Sequence, residues 1–452
     1  MKKIIWLILI GFFIVTSQFI NAQAPDSIAK TKEKIKKGWS IGAIPALAFD
    51  SDIGLKLGAV INFFDYGNGN IYPAYKHSLY FEYSLTTKGS GIAQFLYDSK
   101  YLIPGIRLTA EASYLTERAL DFYGFNGYEA YYNHKYEDDS PDNPDYRSRQ
   151  YYREERKLLR LRADFQGRFY NDRIRWLAGI SYYDIKTDTI DVGRLNKGKD
   201  KSKQLPDTIN GGLYGQYAYL WNIIPSGQIH GGTTTLFKGG LVYDTRDNEP
   251  NPMHGIWSEI IFLWAPDFLA SGDFGYSKIC LTHRQYFSLV PKRLTFVYRI
   301  AYQAKLWGKL PYYMLPFIYN GGNSLDRDGL GGAKTIRGIL RNRIVGEDYL
   351  YGTLEFRWKF FQTVFLKQNI YAALNVFSDF GMVTRNFEID KSNVPATSMN
   401  MFPDDKEKLH ISYGAGIHAA LNQNFVAAIN YGIAADKRDG SKGLYINLNW
   451  LF

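Results

Sequence analysis

A chain of 452 residues with 36 Tyr, 29 Phe and 9 Trp is 46% apolar and 22% charged, a composition that favours β-structure over helix bundles. Its formal charge of +10 is interspersed with acids along strand-like segments, which argues against a nucleic-acid stripe. One cysteine, Cys280, excludes an internal disulfide, and no Walker loop or dinucleotide fingerprint occurs.

Lys2 and Lys3 precede an apolar run from Ile4 to Val15, and "INAQA" supplies small residues for cleavage. This predicts a signal peptide over 1–22. Residues 23–38 then form a short periplasmic segment, in which "DSIAKTKEKIKKG" is a disordered lead-in or a short basic helix. No later run reaches the roughly 18–20 apolar residues of a spanning helix. The exported chain is therefore soluble, or it crosses a membrane as a closed barrel.

"GWSIG" (38–42) matches Gly-x-Ser-x-Gly, but that elbow needs a strand-to-helix turn and a strand follows here, so no enzymatic activity is expected. Strand candidates then fall near 41–49, 54–65, 77–87, 91–103, 106–117, 156–169, 173–186 and 233–244. The series continues near 255–266, 275–288, 294–306, 350–361, 368–380, 411–421, 424–434 and 442–452. That is about sixteen, the even number a single-chain bacterial barrel requires. In 159–169, Leu159, Leu161, Ala163, Phe165 and Phe169 alternate with Arg160, Arg162, Asp164, Gln166 and Arg168. One dry face and one wet face mark a strand. Pro104-Gly105, "NDR", "VPKR" and "LNQN" are tight turns, whereas 118–155, 187–232, 307–349 and 381–410 are long. Periplasmic turns and extracellular loops of a barrel sort in this way. The expected architecture is all-β: a sixteen-stranded antiparallel transmembrane barrel over 39–452.

"EDDSPDNPDY" (137–146) offers oxygen ligands but lacks the EF-hand pattern, and the seven histidines show no paired metal spacing. Neither a metal nor a cofactor is expected. In "YGTLEFRWKF" (351–360), Glu355 shares a face with Thr353, Arg357 and Lys359. Asp379, in "FSDFGMV" (377–383), shares one with Asn375 and Ala373. Two carboxylates on adjacent strands thus point into the lumen. They can receive an arginine from a loop folded back inside through charge-assisted bonds. "GGAKTIRGI" (331–339) supplies Arg337 in such a loop, with glycines that let the backbone pass close to the wall. The strand "GLYINLNWLF" places Leu444, Ile446, Leu448, Trp450 and Phe452 on one face, with its aromatics at the membrane interface.

Four of these places resemble the BamA/TamA superfamily of outer-membrane assembly factors and translocators, also called bacterial surface antigens. Gly331, Gly332, Thr335, Ile336, Arg337, Gly338 and Ile339 resemble its Arg-Gly loop motif. The Glu355 strand and the Phe-x-Asp-x-Gly motif around Asp379 resemble those that follow it. Tyr243, Asp244, Thr245, Arg246 and Asp247 resemble its Tyr-Asp-Thr-Arg-Asp turn. Gly443, Trp450 and Phe452 lie in what resembles the terminal signal of such barrels.

The resemblance implies a long extracellular loop threading the lumen, with Arg337 paired to Glu355 and Asp379. It also implies lateral opening between the first and last strands, where Gly42 and Pro45 weaken the ladder. The implied setting is the outer membrane of a Gram-negative bacterium. The role is insertion or translocation of proteins, with outer-membrane lipid, client proteins and separate periplasmic or outer-membrane assembly partners. The chain departs from the family in two ways. Ile339 replaces the aromatic after Arg-Gly, and the segment before the first strand is too short for a POTRA module. A plugged channel for small solutes is the alternative, since an arginine- and acid-lined lumen suits it too.

Overall fold

The computed structural model describes residues 35–452 apart from 46–47, 51–53, 73, 88, 202–203, 250, 322–327, 366–367, 422–424 and 449. The signal peptide expected over 1–22, and all but 35–38 of the segment expected over 23–38, lie outside the described residues.

Strands dominate. β1 (Trp39–Pro45) and β2 (Ala48–Asp50) both pair with β3 (Gly54–Asp65) and make one stave of the wall. "GWSIG" falls on this stave, with Ser40 paired to Phe64, and no strand-to-helix elbow forms. β4 (His77–Thr86), β5 (Gly91–Ile103), β6 (Ile106–Asp121), β7 (Arg153–Asn171), β8 (Ile174–Asp188) and β9 (Gly232–Asp244) follow. The second half comprises β10 (Gly255–Ala265), β11 (Tyr276–Val290), β12 (Leu294–Gly308), β13 (Asp348–Phe365) and β14 (Gln368–Arg385). β15 (His410–Leu421), β16 (Phe425–Ala434) and β17 (Lys442–Leu448) complete it. With β1 and β2 taken together, the 17 segments make sixteen antiparallel staves, each paired with its sequence neighbours. Most boundaries agree with the alternation. The exception is the last strand, which leaves the wall at Leu448 and not at 452.

Burial runs opposite to that of a soluble sandwich. Along β7, Leu161 and Phe169 are 45% and 66% exposed, whereas Arg160 and Asp164 are 3% and 1% exposed. The charged side chains face inward because there they find one another: Arg160 sits 2.7 Å from Glu111, and Lys238 reaches Asp164. Outward-facing leucine and phenylalanine lose nothing against lipid, so the same alternation suits a membrane wall. Among the described residues no helix is long and apolar enough to cross a membrane.

Connections differ between the two ends. At one end, residues 104–105, 172–173 and 291–293 are tight turns. At the other, 122–152, 189–231, 309–347 and 386–409 fold together into an apolar lid. Phe122 lies edge-on to Tyr214 and to Tyr217, with centroids 5.3 Å apart in each pair. Tyr217 in turn packs on Phe402 at 5.7 Å. Edge-to-face aromatic pairs of this kind contribute about 0.5–1.5 kcal/mol each beyond burial. The acidic stretch 137–146 lies at the surface of this lid, where Asp139 meets Arg149 and Asp145 meets Lys135. Cys280 is buried on the inner face of β11.

The ring of staves does not close as a full ladder. β16 and β17 pair over seven positions, from Ile433↔Lys442 to Ala427↔Leu448. Among the described residues, β17 meets β2 through a single pair, Tyr445↔Asp50. A strand edge left so sparsely paired keeps backbone donors and acceptors available to another strand.

Candidate functional site

The connection 309–347 leaves the top of β12, passes down inside the wall, and returns to β13. The fold of its tip is specified locally. The Thr335 hydroxyl accepts from the Gly331 N–H at 2.9 Å and donates to the Gly331 carbonyl at 2.9 Å. Gly332 N–H donates to the Ile339 carbonyl at 2.9 Å. Gly331 has φ +114°, a left-handed conformation that strains any residue with a side chain. Ile336 and Ile339 are buried with Leu330, Tyr349, Tyr351 and Val383, which anchors the arm to β13 and β14. The position after Arg-Gly is thus filled by an aliphatic side chain, 1% exposed.

That turn aims Arg337 at the wall. Its Nε donates to Asp379 Oδ2 at 2.8 Å, and its Nη2 donates to Asp379 Oδ1 and Glu355 Oε2, each at 3.0 Å. Its main-chain N–H adds a bond to Asp379 Oδ2 at 3.0 Å, and Nη1 reaches Asn430 Oδ1 at 3.3 Å. The guanidinium lies 3.3 Å from the centroid of Phe377. Arg337 is 2% exposed, and Glu355 and Asp379 are 0%. Burial by itself would weaken the arginine's charge, but Asp379 and Glu355 outweigh it and hold its pKa above the ordinary value. Glu355 is shared, since its Oε1 accepts from Arg357 Nε at 2.7 Å. Charge-assisted bonds of this type contribute about 1.5–3 kcal/mol each when sheltered.

The arm also touches the last two strands. Gly338 N–H donates to the Tyr445 hydroxyl on β17 at 3.1 Å, and Gly432 of β16 lies directly against the Arg337 main chain. Gly443 pairs with Gly432, so the wall has no side chains where the arm presses. Two further arginines hold the arm. Arg341 bonds Glu117 on β6 and Asp328, and Arg343 donates to the carbonyls of Gly127, Ala130 and Arg438 at 2.8, 3.0 and 2.8 Å. Sequence reasoning missed both. The signal available was three arginines within "RGILRNR", which a solvated loop also explains.

Elsewhere the described residues sort as follows. In the 245–254 turn, Arg246 folds back on Asp244 through Nε–Oδ1 and Nη2–Oδ2 contacts of 3.0 and 3.1 Å and lies over Trp257. Thr245 and Asp247 accept main-chain N–H groups of Ile256 and Met253 within the same turn, whereas Tyr243 faces outward. Glu249 carries the turn across to β5 and β6, meeting Lys100 at 2.8 Å and Arg107 at 3.1 Å. Trp450 and Phe452 correct the expectation of aromatics at the membrane interface. Trp450 is buried and stacks on His418 with centroids 3.8 Å apart. Phe452 lies among Arg284, Arg299 and Arg357. The strand ends at Leu448, so period-2 alternation no longer sets the face that these two residues take.

Together these features describe a β-barrel wall with an arginine-bearing arm inside it. Residues 85–450 match the Omp85 superfamily domain, and the chain is a member of that superfamily. No curated protein matches the chain. Its fold is similar to the crystal structure of BamA from Haemophilus ducreyi lacking POTRA domains 1–3, at 14% identity and a TM-score of 0.50, over 92% of this chain and 71% of that one. It is also similar to CdiB from Escherichia coli, at 11% identity and a TM-score of 0.54, over 92% of this chain and 63% of that one.

Proposed function

We propose that this Omp85-superfamily barrel sits in the outer membrane of a Gram-negative bacterium and takes part in inserting or translocating polypeptides there. The seam carries this reading: among the described residues the last strand meets the first through one residue pair, beside an arm tip bonded to that same last strand. An incoming strand could pair with such an edge without first breaking a full ladder. Arg337, Glu355 and Asp379 act as the lock that keeps the arm against β16 and β17. The partners are outer-membrane lipid, client polypeptides, and separate periplasmic or outer-membrane assembly subunits. The chemistry is non-enzymatic, a matter of strand exchange. The apolar lid above and the Glu249 turn beneath favour this reading over a channel for small solutes.

The test is reconstitution in vesicles with a newly synthesised barrel protein, scored by protease-protected insertion. The protein accelerates insertion, and a disulfide across the seam abolishes the effect until reduction restores it. Large stable conductances that are indifferent to that disulfide would instead mark a solute channel.

A further inference from the structure

We infer that a small cavity beside Glu154 binds one dehydrated monovalent metal cation such as sodium, held between the Glu154 carboxylate and the hydroxyl oxygens of Thr187 and Tyr312. The inference is independent of the proposed function and stands on the cavity's own atoms.

The cavity has a volume of about 20 Å³ and lies where four parts of the chain meet. Glu154 comes from β7, Thr187 from β8, Phe122 and Phe125 from the lid, and Tyr312 and Asn342 from the two limbs of the arm. A space of that size takes one particle as large as a water molecule, and such a particle needs several polar partners.

Glu154 is 7% exposed, and its Oε2 accepts no hydrogen bond among the described residues. The arginines nearby are committed to other acids. Arg153 meets Asp121, the other acid lining the cavity, at 2.5 Å, and meets Glu137 at 3.4 Å. Arg156 meets Glu117 at 2.6 Å and Asp328 at 3.1 Å, and Arg341 bonds the same two carboxylates. Among the described residues these three arginines thus serve four acids, and Glu154 is a fifth. A buried carboxylate in that position is strongly unfavourable unless a positive charge joins it.

The hydroxyls beside it cannot supply that charge, because their protons are spent. Thr187 and Tyr214 both donate to the Ile229 carbonyl. Tyr312 shares its proton with Thr187 Oγ1 at 2.6 Å or with the Tyr214 hydroxyl at 2.8 Å. Burial, Tyr214 and the Glu154 charge hold the Tyr312 pKa well above its ordinary value, so it stays a hydroxyl. Glu154, Thr187 and Tyr312 therefore turn lone pairs toward the cavity. Oxygen ligands of this kind select a hard cation, and a single uncommitted carboxylate suits a monovalent one. The bound ion ties both limbs of the arm and the lid to β7 and β8, independently of the Arg337 lock. Its three ligands are far apart in the chain, so no spacing announces the site in the sequence.

The full chain in detergent micelles is unfolded by heat in sodium chloride and in N-methyl-D-glucamine chloride, at one pH and one ionic strength. Sodium raises the unfolding midpoint saturably, by at least about 2 °C. Glu154→Gln, close in shape but uncharged, unfolds at the same temperature in both salts. Identical midpoints for the unsubstituted chain mean that a proton or a water molecule fills the cavity, and they overturn the site. A Glu154→Gln protein that still responds to sodium places the effect elsewhere and overturns it too. If Glu154→Gln fails to fold, hydrogen exchange of the unsubstituted chain decides. Sodium slows exchange in 122–125, 312–316 and 342–345, the segments around the cavity. Equal exchange in both salts, or slowing spread evenly along the chain, refutes the inference.

Discussion

Gly338 and Gly432 meet backbone to backbone. A Cβ on Gly432 would lie 2.7 Å from the carbonyl carbon of Arg337, and one on Gly338 would lie 2.5 Å from the Ile433 nitrogen. Neither neighbour is the flexible end of a side chain, so neither can yield without moving the arm or the strand. Gly338 also has φ +95°, which penalises any side chain independently of space. Gly432→Ala is expected to cost about 1–3 kcal/mol as an overpacking change, and Gly338→Ala more. Denaturant unfolding in detergent checks the order. Equal stability of both variants with the parent would mean the arm does not seat against β16.

Arg337→Ala should cost more than a lost hydrogen bond, because it leaves Asp379 without its cation and Glu355 with only one. Breaking a buried pair from one side costs about 3–5 kcal/mol. Arg337→Lys keeps the charge but loses the fork that spans both carboxylates, so it should recover only part of the loss. Thermal unfolding of the two variants against the parent measures this. Restoration of full stability by lysine would show that charge alone matters and geometry does not.

Much of the wall was legible because its cause is local. Each stave repeats one rule, apolar against lipid and polar toward the lumen, and residues such as Leu161 and Arg160 express it without help from distant chain. Arg337, Glu355 and Asp379 could be brought together on paper because strand parity alone orients both carboxylates inward. Parity could not foretell where Trp450 and Phe452 lie, since their contacts are with Arg357, Arg299 and His418, all remote in sequence. The lid was equally hidden. Tyr and Phe in loops carry no periodicity, and only the folded loops show Phe122, Tyr214 and Tyr217 in contact.

Arg343 links that lid to the arm. Its three donated bonds end on main-chain carbonyls of Gly127, Ala130 and Arg438, in two different loops. Nearby, Tyr128 stacks on His410 at 3.8 Å and donates to Asp439 at 2.7 Å, so the same loop is fixed at a second point. Arg343→Ala should therefore loosen the 122–152 loop without releasing it, at a cost of about 1.5–3 kcal/mol. Limited proteolysis from outside intact cells is the measurement. Faster cleavage within 122–152, with Arg337 contacts unaffected, is expected, and unchanged cleavage would assign Arg343 no part in holding the lid.

Among the described residues the pair Tyr445↔Asp50 fixes the register at the seam. Antiparallel pairing keeps the sum of partner numbers constant, so continuing the register from Tyr445↔Asp50 would bring Asn447 opposite Ala48. By the same rule Ile44 does not face Asn447 but lies further along the strand. That is four residues away, about 13 Å along a strand and beyond disulfide reach. Ala48→Cys with Asn447→Cys should therefore crosslink readily under mild oxidation, and Ile44→Cys with Asn447→Cys should not. If the seam exchanges strands in the membrane, the first crosslink will form incompletely and will rise when the arm lock is intact. Arg337→Ala should lower its yield, because Gly338 then no longer holds Tyr445 and its strand in place. A yield independent of Arg337 would separate the lock from the seam, and efficient crosslinking at 44 would displace the register itself.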